Sequence, residues 1–218
     1  MLRLDTEIFR GINGLAGHYP WLDALGIFSA KYLIWVMAGI ILAGAVVAER
    51  QLAARQDRGW WSRLTGSLFR RRTEERPDLR AVAAVRGVLA ALAADLGNSL
   101  FSLFYFRARP CGVLYQVNNL LHRSCVDKSF PSDHSSMAFA LAFSAVFVRP
   151  LLGSALLVMA GFVAWGRVFV GVHYPADVLA GAAVGLFWAL AARAAESRFG
   201  LTGRLQRLFW TGLKRGKA

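Results

Sequence analysis

The sequence predicts an all-α protein, a polytopic membrane bundle of five to six spanning helices with amphipathic helices at the interface. Its composition is the first reason: 56% of the 218 residues are hydrophobic and the mean hydropathy is +0.42, which is too apolar for an ordinary soluble domain of this length. Several apolar runs also approach the ~20 residues that a helix needs to cross a bilayer. No segment alternates polar and apolar residues as the strands of a membrane barrel would.

Five apolar runs are predicted to span the membrane: 31–48, 81–106, 135–148, 151–165 and 177–195. The third and fourth are short and meet at Arg149 and Pro150. This predicts a tight hairpin, because proline cannot continue a helix and arginine prefers the interface. We expect one domain over residues 1–218. In the last run, Gly181 and Gly185 form a GxxxG pattern, which favours close helix packing inside the chain over dimerisation.

The N-terminal segment 1–20 is predicted to be an interfacial helix. Polar residues interrupt it, so we expect no cleavable signal peptide. Its apolar residues fall on one helical face, which suits a helix that lies on the bilayer surface. These residues are Leu4, Ile8, Ile12 and Leu15.

The net charge of +13 is concentrated in two arginine-rich segments, a loop at 49–80 and a tail at 196–218. Both flank predicted spans, so they indicate the cytoplasmic side and contact with anionic lipids. We expect no nucleic-acid partner, because no DNA- or RNA-binding motif accompanies the charge. Both segments are predicted to rest at the interface through apolar side chains. These are Trp60, Trp61, Leu64, Leu68 and Phe69 in the loop, and Leu201, Leu205, Leu208, Phe209 and Leu213 in the tail.

If the two basic segments are cytoplasmic, three polar clusters are expected to lie together at the extracytoplasmic ends of the spans. Residues 1–20 are expected on the same side. The clusters are FRARPC at 106–111, PSDHSS at 131–136 and GRVFVGVHYPAD at 166–177. Polar groups at the mouth of a membrane helix are costly unless something polar binds there. The clusters bring together Arg107, Arg109, Ser132, Asp133, His134, Arg167, His173 and Asp177.

These residue types predict a site for a tetrahedral anion. Arginine forks bind phosphate oxygens bidentately and keep their charge. Ser132 is a candidate N-cap, and the N–H groups that follow a helix start bind phosphate. The polar run therefore predicts a phosphate cradle. Its candidate phosphate-binding residues are Arg109, Ser132, Arg167, Asp133, Arg107 and Lys128.

Two histidines can divide the chemistry. One can attack phosphorus while the other protonates the leaving oxygen. The spacing of His173 and Asp177 allows the carboxylate to orient the imidazole as a nucleophile, which leaves His134 as the acid. Metal binding by histidines and aspartates is a rival interpretation, but the neighbouring arginines would repel a divalent cation. No cofactor is expected.

At these residues the chain resembles the type 2 phosphatidic acid phosphatases (the PAP2 superfamily), which also include vanadium haloperoxidases. PSDH and R-x5-H-x3-D are similar to the second and third signature motifs of that superfamily. In the first motif Arg109 and Pro110 match, but Ser102 stands at the lysine position. Arg107 or Lys128 is therefore expected to replace that lysine.

The resemblance implies a PAP2-like helical core, a phosphohistidine on His173 and no metal requirement. SFPSDH, RVFVGVHYPADVLAG and EIFRGINGLAGHYPWLD resemble bacterial undecaprenyl-diphosphatases of the bacitracin-resistance type, some of which lack the first-motif lysine. This implies that undecaprenyl diphosphate is the substrate, with the active site on the outer face of the bacterial cytoplasmic membrane. Two alternatives stay open: another PAP2 lipid phosphatase, acting on phosphatidylglycerophosphate or phosphatidate, and a non-catalytic lipid transporter or scaffold with a phosphate pocket.

The two cysteines, Cys111 and Cys125, lie in the one long loop predicted to be outside. Cysteines in an oxidising compartment tend to pair, and a bond here would tie the first phosphate-binding motif to the second. Two independent thiols are the alternative.

Overall fold

The computed structural model describes residues 3–64, 79–122 and 124–200, which form helices joined by turns and loops, with one isolated bridge between Ala108 and Lys128. The all-α fold class is confirmed. The helices in this part of the chain are α1 (Arg3–Asn13), α2 (Pro20–Lys31), α3 (Leu33–Leu64), α4 (Leu79–Phe101), α5 (Pro110–Val113), α6 (Asp133–Val146), α7 (Pro150–Phe169) and α8 (Pro175–Phe199).

Helix α6 lies at the centre of the bundle and packs against α4, α7 and α8. Its buried positions are mostly small, among them Ala138, Ala140, Ala142 and Ala145, which lets the surrounding helices approach closely. With 14 residues it is about 21 Å long, shorter than the ~30 Å hydrocarbon core of a bilayer. Its two ends therefore need polar partners from the neighbouring helices.

An arginine of α4 satisfies the C-terminal end of α6. Arg86 is buried, and its Nη2 donates to the carbonyl oxygen of Ser144 at 2.9 Å. That carbonyl is one of the last four of α6, and the last four carbonyls of a helix have no N–H donor within the helix. A cation is also favourable at this end of the helix dipole. Arg86 thus allows a short helix to end inside the bundle.

Helix α8 approaches α6 closely at two glycines. A Cβ added to Gly181 would lie 2.9 Å from the carbonyl oxygen of Ser132, and one at Gly185 would lie 2.6 Å from that of Ser136. Both distances are too short for any larger residue. The GxxxG pattern therefore packs inside the chain, as predicted, and it holds the start of α8 beside the start of α6.

Three helical segments in the described ranges are long and apolar enough to cross a bilayer: Val82–Phe101, Pro150–Phe169 and Pro175–Phe199. Helix α2 and the Leu33–Ala48 part of α3 meet at 53° and give a fourth if they form one broken span. By this measure the count is three or four where five to six were expected, because α6 is short. Exposed leucines at 92, 96 and 100 form a stripe along α4, the surface expected to face lipid.

Several boundaries differ from the predicted spans. Helix α2 is not among the predicted elements, and α3 continues to Leu64 instead of ending at 48. Helix α4 ends at Phe101, before the predicted 106, whereas α6 and α7 meet in the expected hairpin at 147–149.

Helices α1 and α2 cover the end of the bundle where α7 ends and α8 begins. Of the predicted apolar face, Leu4, Ile8 and Leu15 are exposed, whereas Ile12 is half-buried and packs against the bundle. The interfacial placement of this segment stays a prediction.

The apolar side chains predicted to rest at the interface in the two basic segments lie outside the described residues. This holds for Leu68 and Phe69, for residues 201–213, and for the side chains of Trp60, Trp61 and Leu64.

Candidate active site

The three polar clusters meet at one end of the bundle through hydrogen bonds between their backbones and side chains. The backbone N–H of Ser132 donates to the carbonyl oxygen of Asp177 at 3.1 Å, which joins the second cluster to the third. The N–H of Ser129 donates to the carbonyl oxygen of Arg107 at 2.7 Å, and Arg109 Nε donates to the carbonyl oxygen of Lys128 at 3.2 Å. Residues far apart in the chain are thereby held at one site.

His173 lies in the short loop between α7 and α8 and is almost fully buried, with 3% of its surface exposed. Its Nδ1 is 2.8 Å from the carbonyl oxygen of Ser129. A carbonyl oxygen only accepts hydrogen bonds, so the proton of the neutral ring is on Nδ1. Nε2 then carries the lone pair, and Arg167 Nη2 lies 3.3 Å from it. The ring nitrogen that carries the lone pair therefore faces a guanidinium group.

Asp177 orients His173 less directly than expected. Its nearest carboxylate oxygen is 3.8 Å from Nδ1, because the Ser129 carbonyl occupies that position. Asp177 Oδ2 instead accepts hydrogen bonds from the Ser129 hydroxyl at 2.6 Å and from the Tyr174 N–H at 2.8 Å. Asp177 thus fixes Ser129, and Ser129 fixes the imidazole. The expected direct contact is corrected to an indirect one.

The environment keeps His173 neutral at physiological pH. Burial, the largest cause, lowers the pKa of His173 to about 4; Asp177 opposes this shift, and the positive charges of Arg167 and Arg109 reinforce it. A neutral imidazole has a lone pair available for attack on phosphorus. The site therefore holds this histidine in the protonation state that a nucleophile needs.

Arg167 and Arg109 are both buried and both bind neutral acceptors. Arg167 is 2% exposed and its Nη1 donates to the carbonyl oxygen of Ala30, at the end of α2, at 3.3 Å. Arg109 donates to the Lys128 carbonyl oxygen, and the nearest carboxylate that it pairs with, that of the exposed Asp127, is 3.8 Å away. Because a carbonyl does not neutralise a guanidinium group, the contact with Ala30 leaves the charge of Arg167 beside Nε2 of His173, which favours an anion there.

Ser132 occupies the N-cap of α6, as predicted, but its side chain makes no capping hydrogen bond. Its hydroxyl oxygen accepts from the Ser135 hydroxyl at 3.2 Å. His134, the second residue of α6, is half-buried at this helix start. The first N–H groups of a helix have no acceptors within it, so this end suits phosphate oxygens.

Asp133 is not placed as a phosphate ligand. Its Oδ1 accepts from Lys128 Nζ at 2.7 Å and from Asn98 Nδ2 at 3.0 Å. A carboxylate would also repel phosphate. The expected role of Asp133 is therefore corrected: it holds Lys128 and links α6 to α4.

The two candidates for the missing first-motif lysine lie in different environments. Ser102 itself donates back to the Ser99 carbonyl of its own helix at 2.6 Å. Arg107 binds two carboxylates, Asp5 and Asp177, at 2.5 Å each, so its charge is compensated and its expected phosphate contact is corrected to an internal one. Lys128 sits beside the Arg109 side chain through its own carbonyl.

Cys111 and Cys125 are joined in a disulfide, with their Cα atoms 5.6 Å apart. The bond ties α5, which begins directly after Arg109, to the segment that leads to Lys128 and Ser129. The part of the loop that carries the first motif is thereby held to the part that enters the second.

Three residues of this end of the bundle are absent from the predicted site. Ser129 carries the contact to His173, Asn98 binds Asp133 and Ser136, and Asp5 binds Arg107. The one available signal was in α1, where Asp5, Phe9 and Asn13 recur every four residues. Polar residues at that spacing, away from the apolar face, indicate a helix that docks onto protein as well as lipid.

Comparison with known proteins identifies the family and the fold of this chain. The chain matches the PAP2 superfamily over residues 83–200. It is 29% identical over 187 residues to the bacitracin transport permease protein BcrC of Bacillus licheniformis, which covers 86% of this chain and 78% of the relative. It is 31% identical over 176 residues to the undecaprenyl-diphosphatase BcrC of Bacillus subtilis strain 168, covering 81% and 76%. The crystal structure of Aquifex aeolicus LpxE has the same fold, with a TM-score of 0.60 and 21% identity over 88% of this chain and 96% of that one.

Proposed function

This chain belongs to the PAP2 superfamily, and we propose that it hydrolyses undecaprenyl diphosphate to undecaprenyl phosphate and inorganic phosphate. It is a multi-pass membrane phosphatase. The substrate is taken from the relative named an undecaprenyl-diphosphatase, which is 31% identical over most of both chains. The reaction would recycle a lipid carrier.

The observation that carries the catalytic proposal is the state of His173. Its proton is fixed on Nδ1 by the Ser129 carbonyl, and its Nε2 faces Arg167 at 3.3 Å. A buried neutral imidazole whose lone pair faces a guanidinium group is arranged to attack a bound phosphate. In the substrate complex, the phosphate would take the Arg167 fork and leave Nε2 opposite the phosphorus.

The proposed reaction has two steps. Nε2 of His173 attacks the terminal phosphorus, so that an N–P bond forms and the bridging P–O bond breaks, while His134 gives a proton to the leaving undecaprenyl phosphate. Water then attacks the phosphohistidine, and His134 takes its proton. Inorganic phosphate leaves and both histidines return to their starting states. Arg109, Arg167 and the N–H groups after Ser132 stabilise the charge on the transferred phosphoryl group.

Lys128 is proposed to supply the cation that Ser102 lacks. Its carbonyl oxygen accepts from Arg109, and within the described residues its ammonium group forms an ion pair with Asp133 alone, at the start of α6, whereas Arg107 lies between two carboxylates. Arg107 is excluded from this role by its two carboxylate partners.

We also propose that the site faces the outside of the bacterial cytoplasmic membrane. The helix ends at Leu64, Leu79 and Phe199 lead into the two basic segments and lie away from His173, and such segments mark the cytoplasmic side. The Cys111–Cys125 disulfide near the site suits an oxidising compartment.

A substrate panel tests the function. The purified protein in detergent with EDTA is offered undecaprenyl diphosphate, phosphatidylglycerophosphate and phosphatidate, with His173→Ala as the control for contaminating phosphatases. The proposal expects phosphate release to be fastest from the polyprenyl diphosphate. Faster turnover of a diacylglycerol phosphate would instead identify another lipid phosphatase of this superfamily. No release from any of them would favour a transporter or scaffold, the class that the name of the Bacillus licheniformis relative suggests.

The orientation is tested by labelling. Tyr115→Cys places a thiol on the exposed loop near the site, and Ser197→Cys places one at the exposed far end of α8. In intact spheroplasts a membrane-impermeant maleimide is expected to label the first and spare the second. The reverse pattern would place the site inside.

A further inference from the structure

Helix α1 presents one row of buried residues to the active-site end of the bundle. Asp5, Phe9 and Asn13 follow at intervals of four and are 7%, 1% and 3% exposed. Phe9 packs against Tyr174, with ring centroids 5.5 Å apart, and Asn13 donates to the carbonyl oxygens of Phe169 and Asn118. The helix is therefore docked onto the segments on both sides of His173.

Both carboxylate oxygens of Asp5 bind groups of the site. Oδ1 accepts from the N–H of Ala176, in the first turn of α8, at 2.9 Å. Oδ2 accepts from Arg107 Nη2 at 2.5 Å. An acidic group is favourable at a helix N-terminus because it meets unpaired N–H groups and the positive end of the dipole. Asp5 thus performs from another helix what a capping residue normally does from its own.

Arg107 connects Asp5 to Asp177. Its other terminal nitrogen donates to Asp177 Oδ1 at 2.5 Å, and its guanidinium lies over the Tyr174 ring at 4.1 Å. One positive charge lies between two buried negative charges, so loss of the Asp5 carboxylate removes one of the two partners that hold the guanidinium in place. Asp177 in turn binds the Ser129 hydroxyl, and the Ser129 carbonyl binds His173 Nδ1.

We propose that Asp5 is a positioning residue for the phosphatase reaction, acting on His173 through Arg107, Asp177 and Ser129. The inference rests on the proposed function for its kinetic consequence. Helix α1 is then part of the catalytic apparatus as well as an interfacial anchor. The planar guanidinium of Arg107 makes this connection rigid, because two carboxylates bound to its two terminal nitrogens have little freedom to move relative to each other.

The test compares Asp5→Asn, Asp5→Glu and the matched control Glu7→Gln. Glu7 lies on the same helix and loses the same charge, but it is exposed, and in the described part of the chain its ion-pair partner is the exposed Arg3. Misplacement of reacting groups lowers the catalytic rate by up to about 100-fold. Asp5→Asn should lower kcat by roughly 10–100-fold with little change in KM, Asp5→Glu should recover part of the loss, and Glu7→Gln should match the wild type.

A second measurement does not depend on turnover. In protein labelled with ¹⁵N-histidine, the His173 ring signals, assigned by their loss in His173→Asn, report which nitrogen carries the proton. We expect the Nδ1–H form in the wild type and a shift toward the Nε2–H form in Asp5→Asn. An unchanged ring in Asp5→Asn overturns the proposal, even if activity falls through lower stability. If the wild type hydrolyses no lipid phosphate, the proposed function fails, while the ring signals still decide the role of Asp5.

Discussion

Buried arginines from other segments lie near both ends of helix α6, but the local electrostatics at the two ends are opposite. At the C-terminal end, Arg86 meets the negative end of the helix dipole and a backbone carbonyl. At the N-terminal end, Arg109 and Arg167 lie near the positive end, beside a neutral histidine. The first arrangement is favourable by itself, whereas the second places two guanidinium groups near a helix N-terminus, a combination that favours an anion.

This difference separates Arg86 from the two arginines that we propose bind phosphate. Burial alone does not, since Arg86, Arg109 and Arg167 are 6%, 7% and 2% exposed. Arg107 shows a third case, because two carboxylates compensate its charge. The sign of the surroundings therefore predicts which of these arginines binds substrate.

The largest effect is expected at His173. His173→Ala removes the proposed nucleophile and should abolish turnover, while the far end of α6 is untouched and the protein still folds. Acid-quenched wild type given substrate labelled in the terminal phosphate should carry the label on His173. Turnover at the wild-type rate in His173→Ala would refute the phosphohistidine mechanism.

Arg109→Ala and Arg167→Ala are expected to separate activity from stability. Each removes a charge that stabilises the transferred phosphoryl group, and such contacts contribute about 3 kcal/mol, or 10²–10³ in kcat. Because each variant also relieves repulsion at the positive end of α6, thermal unfolding in detergent should change little. A change confined to KM would mean that these arginines only capture the headgroup.

Acid should destabilise the wild type more than a variant that lacks the buried histidine. The unfolded chain protonates His173 near pH 6.5, but the folded protein does so only at about 4. Between these values the unfolded state binds more protons, so the free energy of unfolding falls as pH is lowered, by up to about 3 kcal/mol. His173→Asn should lose less stability than the wild type between pH 6.5 and 4. Equal losses in the two proteins would contradict the buried neutral imidazole.

Arg86→Leu is expected to lower stability and leave activity unchanged, the opposite of what we expect for Arg109→Ala and Arg167→Ala. The Ser144 carbonyl would lose its buried partner, at a cost of about 1–3 kcal/mol, while the kcat of the folded protein stays unchanged. The control is Arg193→Gln, an exposed arginine of α8 that lies over the Phe147 ring near the same end. Thermal unfolding and kcat of both variants provide the comparison, and a large fall in kcat for Arg86→Leu would show that this end also serves catalysis.

Much of this molecule follows from local sequence features. Hydropathy predicts the long helices, the pair Arg149 and Pro150 predicts the hairpin, and Gly181 and Gly185 predict the close contact of α8. The motifs around Arg109, His134 and His173 carry the resemblance to the PAP2 superfamily. These features could be predicted because each depends on residues within a few positions of one another, or on a motif read directly from the chain.

The partners of the charged groups depended on the tertiary structure. Arg107 and Arg109 are two residues apart, yet one binds Asp5 and Asp177 while the other binds a carbonyl beside the site. Likewise the carbonyl of Ser129 lies at hydrogen-bond distance from the imidazole, while the carboxylate of Asp177 is 3.8 Å away. A hydrogen bond is decided within a few tenths of an ångström, and sequence spacing does not resolve distances between residues that are brought together from opposite parts of the chain.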